Sequence, residues 1–301
     1  MSSERREGVP LRIGVVTINP ELISSQRIRE AGLSRGHEMI LLPLLECSVS
    51  TGSRPLLHFG EPIPPLDTAI VRLGSQLPGL AVAIGRALES LGVPLLDSIS
   101  ALELARDKFE TLCRLKSAGL PVPLTELVRD LDQLAAAVNR VGGAPVVVKP
   151  LYGSQGQGIV LAESSAAAVS MMQSILFQSR EFLIQQFIPC EGEDVRLIVV
   201  DGEVVTAMKR KAPAGDFRSN LARGGSAVPV QVTPELSELA LEATSALGLH
   251  CSGVDLLLSE NGPVILEVNG SPGLGGIEQV TGVDVASHWI STLENRIQAV
   301  N

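Results

Sequence analysis

Aromatic residues are scarce in this 301-residue chain, which has one Trp, one Tyr and six Phe. So few rings leave little platform for stacking bases. The net charge of −9 likewise excludes a general nucleic-acid binder, which needs a basic face. Lys209, Arg210 and Lys211 are the local basic cluster that remains. Cysteine is sparse as well. Cys47, Cys113, Cys190 and Cys251 lie far apart with no Cys-x-x-Cys pair, which excludes a disulfide framework or a zinc site and suits a reduced cytosolic protein. No apolar run approaches the ~20 residues of a membrane-spanning helix. The opening "MSSERREGVP" has charges with no apolar core behind them, unlike a signal peptide. The expectation is a soluble, cytoplasmic protein with no membrane or direct nucleic-acid partner. What is plentiful points to a globular α/β enzyme of two or three domains: 45% hydrophobic and 19% charged residues, 29 Gly and 19 Pro.

The N-terminal third alternates strand and helix. "LRIGVVTI" reads as a strand, Glu21 to Arg35 as a helix ended by Gly36, and "EMILLPL" as the next strand. "DTAIVRL" leads into a helix through Ala83, Ala87 and Leu88, and "VPLLDS" follows, so a parallel sheet ending near Asp97 is predicted. A helix over 98–118 starts at Ser98 or Ser100 as N-cap and stops at Gly119. Next come "TELV", a helix over Asp130 to Val141, "PVVVKP", the loop "YGSQGQG", "IVLAE", a helix over Ala166 to Gln178 and "EFLIQQFI". Beyond Gly192, "DVRLIVV" and "VVTAMKRKA" are joined through Asp201-Gly202, a hairpin turn signal. A helix over 234–247, a hairpin over 254–269 and a C-terminal helix complete the chain.

Three stretches carry chemistry. Lys149 directly precedes a loop with glycines at 153, 156 and 158, whose backbone N–H groups can approach phosphate oxygens beside a lysine charge. This is neither a Walker A loop nor the dinucleotide fingerprint, and an ordinary flexible turn explains it equally well. The hairpin "DLLLSENGPVILEVN" is more telling. Glu267 and Asn269 share a strand face with Ile265, and no Lys or Arg in the hairpin can offset them. A tight turn at Asn261-Gly262 pairs Asp255 with Val268. A five-residue loop over 259–263, which suits Pro263, instead places Asp255 opposite Glu267. Three oxygen ligands then converge as Mg²⁺ on nucleotide phosphates requires, the alternative being a solvated sheet face. The third stretch is "AMKRKA", with Arg210, followed by the polar loop "DFRSNLARGGSA". It can place a guanidinium over anionic oxygens, or be a solvated charge run.

The order of these pieces resembles the ATP-grasp ligases, and within them the RimK family, which adds glutamate to protein C-termini. "ARDK" at 105–108, "VGGAPVVVKP", "RSNLARGG" and "LEVNGSPGL" carry the likeness. It implies an α/β chain with the ATP-grasp fold. Residues 1–97 would form a small parallel-sheet domain, 98–190 the subdomain with the Gly-rich loop, and 191–301 the subdomain with the metal site. Residue roles follow by resemblance alone. Lys108 and Lys149 hold ATP phosphates, Gln186 and Phe187 border the adenine, Asp194 takes the ribose hydroxyls, and Arg218, Ser219 and Asn220 contact the nucleotide. Asp255, Glu267 and Asn269 bind Mg²⁺ or Mn²⁺, as two ions. Arg210 stands beside an acyl phosphate and shares the catalytic role with Lys149.

The implied partners are ATP, L-glutamate and the C-terminus of a small-subunit ribosomal protein, with a homotetramer as the assembly. Two departures bear on the acceptor: Gln186 where the family often has Glu, and "YGSQGQG" in place of "EGTQGIG". Rival readings are a ligase joining an amino acid to a cofactor, an amino-group carrier protein or another amino acid, and, in a different class, a non-catalytic ATP-binding regulator.

Overall fold

The run Ile13–Thr17 is buried throughout, as suits the central strand of a parallel sheet covered on both faces. In this computed structural model, which describes residues 9–52, 55–74, 76–153, 158–175, 181–219 and 224–300, that strand is β1 (Arg12–Thr17). Helix α1 (Ile23–Ser34) leads to β2 (Glu38–Pro43). Three short strands that sequence reading missed, β3 (Cys47–Val49), β4 (Leu56–His58) and β5 (Glu61–Pro62), form a separate antiparallel sheet. With β6 (Thr68–Val71) the main sheet has the order β2-β1-β6, all parallel. Helix α2 (Pro78–Ser90) follows. "VPLLDS" adds only a single bridge, from Leu95 to Ala69.

The one helix expected over 98–118 is two, α3 (Ile99–Arg106) and α4 (Lys108–Ser117). Ser98 caps α3, its Oγ accepting from Ala101 N at 3.2 Å. Asp107 leaves the helical region (φ −82°, ψ 106°), and its Oδ1 accepts from the N–H groups of Phe109 and Glu110 at 3.0 and 2.9 Å. Such a cap is worth about 1 kcal/mol, enough to favour the break.

Strands β7 (Thr125–Val128), β8 (Val146–Pro150), β9 (Val160–Ala162) and β10 (Phe182–Gln186) form a sheet of order β7-β10-β8-β9, with α5 (Leu134–Arg140) and α6 (Ser165–Ile175) between them in sequence. Val146, Val148, Phe182 and Ile184 pack with Leu134, Val138 and Met172 into one core. Each such buried side chain contributes about 1.5–3 kcal/mol by leaving water. Most of the Gly-rich loop, 154–157, and the expected helix end at 176–180 lie outside the described residues.

A five-stranded sheet follows, built from β11 (Glu193–Val200), β12 (Glu203–Lys211), β13 (Ser226–Pro229), β14 (Cys251–Ser259) and β15 (Gly262–Asn269), with α7 (Pro234–Ala246) before β14. Its order is β13-β12-β11-β14-β15, antiparallel throughout. Asp201 (φ +48°) and Gly202 (φ +82°) make the tight turn between β11 and β12, as their sequence signals. The reversal between β14 and β15 corrects the expected five-residue loop. It is a two-residue turn at Glu260-Asn261, after which Gly262 takes φ +103° and Pro263 pairs with Leu258 within the ladder. Helices α8 (Gly275–Thr281) and α9 (Val285–Val300) end the chain. By contacts, residues 1–102 with 271–301 form one compact unit and 103–270 another. No helix among the described residues is long and apolar enough to cross a membrane.

Candidate active site

Both hairpins of the five-stranded sheet carry a bulge, and the bulges decide which side chains share a face. Counting back from Glu260-Asn261 without interruption pairs Asp255 with Leu266. A one-residue irregularity between Asp255 and Leu256 makes Leu266 the extra residue, so Asp255 pairs with Glu267 and Gly253 with Asn269. In β11–β12 a shift between Ile198 and Val199 pairs Asp194 with Arg210 and Arg196 with Met208. Arg196 is in turn the partner of Asp255. Paired residues project to the same side, so Asp194, Arg196, Arg210, Asp255, Glu267 and Asn269 occupy one face.

A closed charge network fills part of that face. Arg210 Nε and Nη2 donate to the two oxygens of Asp194 at 2.6 and 2.5 Å, and Nη2 also lies 2.9 Å from Asp255 Oδ2. Arg196 grips Asp255 through two bonds of 2.6 Å. Ser219 Oγ donates to Asp194 Oδ2 at 2.5 Å. Asp194, Arg210, Ser219 and Asp255 are all buried. Burial opposes the charges, but the opposing ions outweigh it: the Arg210 pKa is raised and the Asp255 carboxyl is held below its usual range. Arg196 was missed in the sequence because its partner comes from a strand more than fifty residues away. The cation absent from the hairpin itself is thus supplied by β11 and β12.

The four-stranded sheet supplies a different set. Lys149 is buried, and its Nζ donates to Gln185 Oε1 at 3.0 Å, while Gln185 Nε2 donates to Thr125 Oγ1 at 2.8 Å. Burial brings the Lys149 pKa down to about 8, with the Lys108 charge adding to the fall and Glu267 opposing it. Lys108, lowered by burial too, donates to the carbonyls of Leu151 and Gly153 at 3.3 and 2.8 Å. It thereby holds the root of the Gly-rich loop. Tyr152, the departure in that loop, donates from its hydroxyl to Asp107 Oδ2 at 3.0 Å and lies under the Arg106 guanidinium. Gln186 is anchored to Leu124, with Gln186 N donating to Leu124 O at 2.8 Å and Leu124 N donating to Gln186 Oε1 at 3.3 Å. Phe187 meets Phe217 edge-on at 6.5 Å. Arg218 donates to both oxygens of Asp216 at 2.8 Å and to Ile159 O at 3.0 Å. Asn220 lies outside the described residues.

These residues meet in one cleft of about 830 Å³, open mouth included. It is lined by Lys108, Lys149, Gln186, Phe187, Asp194, Arg210, Arg218, Ser219, Asp255 and Glu267, with Cys190 and Leu257 among its other walls. Asn269 is not among the lining residues, although it shares the sheet face.

The donor set fits a hard divalent cation. Asp255 and Glu267 offer carboxylates and Asn269 an amide oxygen, all hard ligands. Among the described residues Asp255 Oδ1 meets only Arg196 Nε, so acceptor capacity remains. Glu267 makes no hydrogen bond or ion pair with a described residue, and Asn269 Nδ2 is buried without a partner. Nothing in the fold therefore fixes which end of that amide faces which way. No three His, Cys, Asp or Glu side chains gather among the described residues, so the amide is needed to complete the set.

Comparison with known proteins agrees with this construction. Residues 11–102 match the model of the RimK PreATP-grasp domain, and residues 105–293 that of the RimK-like ATP-grasp domain. A protein of Nitrosococcus oceani named probable alpha-L-glutamate ligase is 42% identical over 288 residues, 94% of this chain and 95% of its own. One of Pseudoalteromonas atlantica, named probable alpha-L-glutamate ligase 2, is 42% identical over 280 residues, 92% of this chain and 93% of its own. Among solved structures, a RimK domain ATP-grasp protein from Sphaerobacter thermophilus has a TM-score of 0.75 at 24% identity, covering 93% of this chain and 98% of that one. The ATP-grasp ligase PsnB, complexed with minimal precursor, Mg and ADP, has a TM-score of 0.72 at 20% identity, covering 95% and 98%. At such identities these two show the fold alone. Matched family models along nearly the whole chain, with relatives at 42% identity over the same length, make this protein a member of the RimK-like ATP-grasp ligases.

Proposed function

We propose that this ligase joins L-glutamate to a carboxylate of a protein acceptor, the C-terminus of a small-subunit ribosomal protein, with ATP converted to ADP and phosphate. The observation that carries this reading is the meeting of Lys108, Lys149 and Arg210 with Asp255 and Glu267 in one cleft. An acceptor carboxylate oxygen attacks the γ-phosphorus, the bond to the bridging oxygen breaks and ADP leaves. The amine of glutamate, having lost a proton, then attacks the acyl carbon and inorganic phosphate departs. Four or more anionic oxygens crowd together in both steps, so fixed cations matter more than a dedicated base.

Lys149 and Lys108 bind the phosphates in this scheme. Gln186 and Phe187 border the adenine, and Asp194 accepts from the ribose hydroxyls. Arg218, Ser219 and Asn220 contact the nucleotide. Arg210, held rigidly by two carboxylates, faces the acyl phosphate. Asp255, Glu267 and Asn269 would hold Mg²⁺ or Mn²⁺, two ions in all, which supply charge neutralisation on the phosphates when bound. The working divisions are 1–97, 98–190 with the lysines, and 191–301 with the metal ligands; the assembly is a homotetramer in the cytoplasm. Mass spectrometry of candidate acceptors after incubation with ATP, Mg²⁺ and L-glutamate tests the scheme. Successive glutamate-sized additions to the ribosomal protein are expected. ADP release with no such addition to any protein would overturn the acceptor class.

A further inference from the structure

Arg72 directly follows β6, at the C-terminal end of the parallel sheet, where open α/β sheets take their ligands. Two contacts clamp it. Its Nη1 donates to Pro272 O at 3.0 Å, and its guanidinium lies over the Trp289 ring, 5.4 Å from the centroid. Nε and Nη2 bond to no described residue, and the Arg72 residue is only partly buried. Two arginines fixed nearby in this unit have acids: Arg27 pairs with Glu278 and Arg35 with Glu294. Arg72 has none among the described residues. Burial brings its pKa down to about 10, as expected of a cation held without a counter-charge.

The clamp is itself anchored. Leu73 N donates to Ser271 Oγ at 3.0 Å, and Leu274 N to Ser24 Oγ at 2.9 Å. Gly275 lies so close to Ile23 that a Cβ there would meet Cγ2 at 2.6 Å. The segment holding Arg72 is thus "SPGLG", which begins two residues in sequence after Asn269 and has no role in the scheme above. A guanidinium fixed along one edge, with its remaining N–H groups bonded to no described residue, matches a planar two-oxygen anion.

We propose that Arg72 recognises a substrate carboxylate, either of the incoming L-glutamate or of the acceptor's C-terminus. The proposal rests on the ligase reading for the identity of those substrates. Calorimetric titration of wild type, Arg72→Lys and Arg72→Ala tests it, each with ADP and Mg²⁺ present and with two probes, L-glutamate and the dipeptide Glu-Glu. Loss of a charge-assisted bond should weaken one probe by about tenfold or more in Arg72→Ala. Arg72→Lys should fall between, because it keeps the charge and loses the fork. Weaker binding of L-glutamate assigns the incoming amino acid, and weaker binding of Glu-Glu assigns the acceptor. Equal affinities for both probes in wild type and Arg72→Ala overturn the proposal, as does a wild type that binds neither. An equal loss of ADP affinity, or a fall in Tm that tracks the lost binding, would make Arg72 a structural strut and overturn it too. Mass analysis scores ligation separately: a wild type that binds a probe yet never adds glutamate sinks the ligase reading and leaves the carboxylate site standing.

Discussion

Two sets of charged groups line the cleft, and the fold holds them in opposite ways. Around Asp194 and Asp255, guanidinium and hydroxyl donors lie at 2.5–2.9 Å, and two acids balance two arginines. In the other set, Lys149 has a neutral amide partner, Lys108 has two backbone carbonyls and Glu267 has no bond to a described residue. The first network is closed and sets the geometry of the sheet face. The second keeps full charges that no opposite charge among the described residues bonds directly, and in the proposed scheme these, with the remaining oxygen capacity of Asp255, meet the triphosphate and its cation.

That contrast predicts which changes harm function and which harm the fold. The largest effect is expected for Glu267→Ala. In the proposed scheme this removes a metal ligand and should cut ATP-dependent ADP release by at least about 10²–10³-fold. Unfolding free energy should move by no more than about 0.5 kcal/mol, because no hydrogen bond is lost. Near-normal ADP release from this variant would break the assignment. Arg210→Met should do the reverse first. It strands the buried Asp194 carboxylate, while Asp255 keeps Arg196, and should cost about 3–5 kcal/mol in a urea titration, with part recovered by adding Asp194→Asn. A loss below about 1 kcal/mol would mean the network is not closed.

The smallest effect is a pH profile. In the proposed scheme Lys149 binds phosphate as the ammonium, and burial brings its pKa down to about 8 before any ligand arrives. ATP affinity should therefore be level below that pH and fall by up to about tenfold per unit above it. Calorimetry across pH 7–9.5 (a range of about 2.5 units) checks this, and Lys149→Gln should flatten the slope. A slope that survives in Lys149→Gln would move the titration to Lys108.

Much of this arrangement was legible in the sequence because it depends on local rules. Asp201-Gly202 declares its turn, Ser98 is one of the two caps offered, and the valine run declares its buried strand. The acid, Glu and Asn positions of the last hairpin also pointed to one face. Their stated route was wrong, since a tight turn plus a bulge at Leu266 replaces the long loop. Bulges leave little trace in sequence: one extra residue flips a strand's far half without altering its composition. The same limit hid Arg196 and the pairing of Asp194 with Arg210, which follow from strand neighbours distant along the chain. The break at Asp107 was readable, as an Asp two residues before Phe109 is a helix-start signal inside an otherwise helical stretch.

Leu266 thereby divides its strand into halves under different constraint. Between it and the Glu260-Asn261 reversal, residues can be exchanged or the tip reshaped with the metal-side chemistry untouched. From Leu266 to Asn269 the count of residues is itself the specification. Deleting Val268 would send the Asn269 amide to the rear of the sheet while leaving Glu267 opposite Asp255.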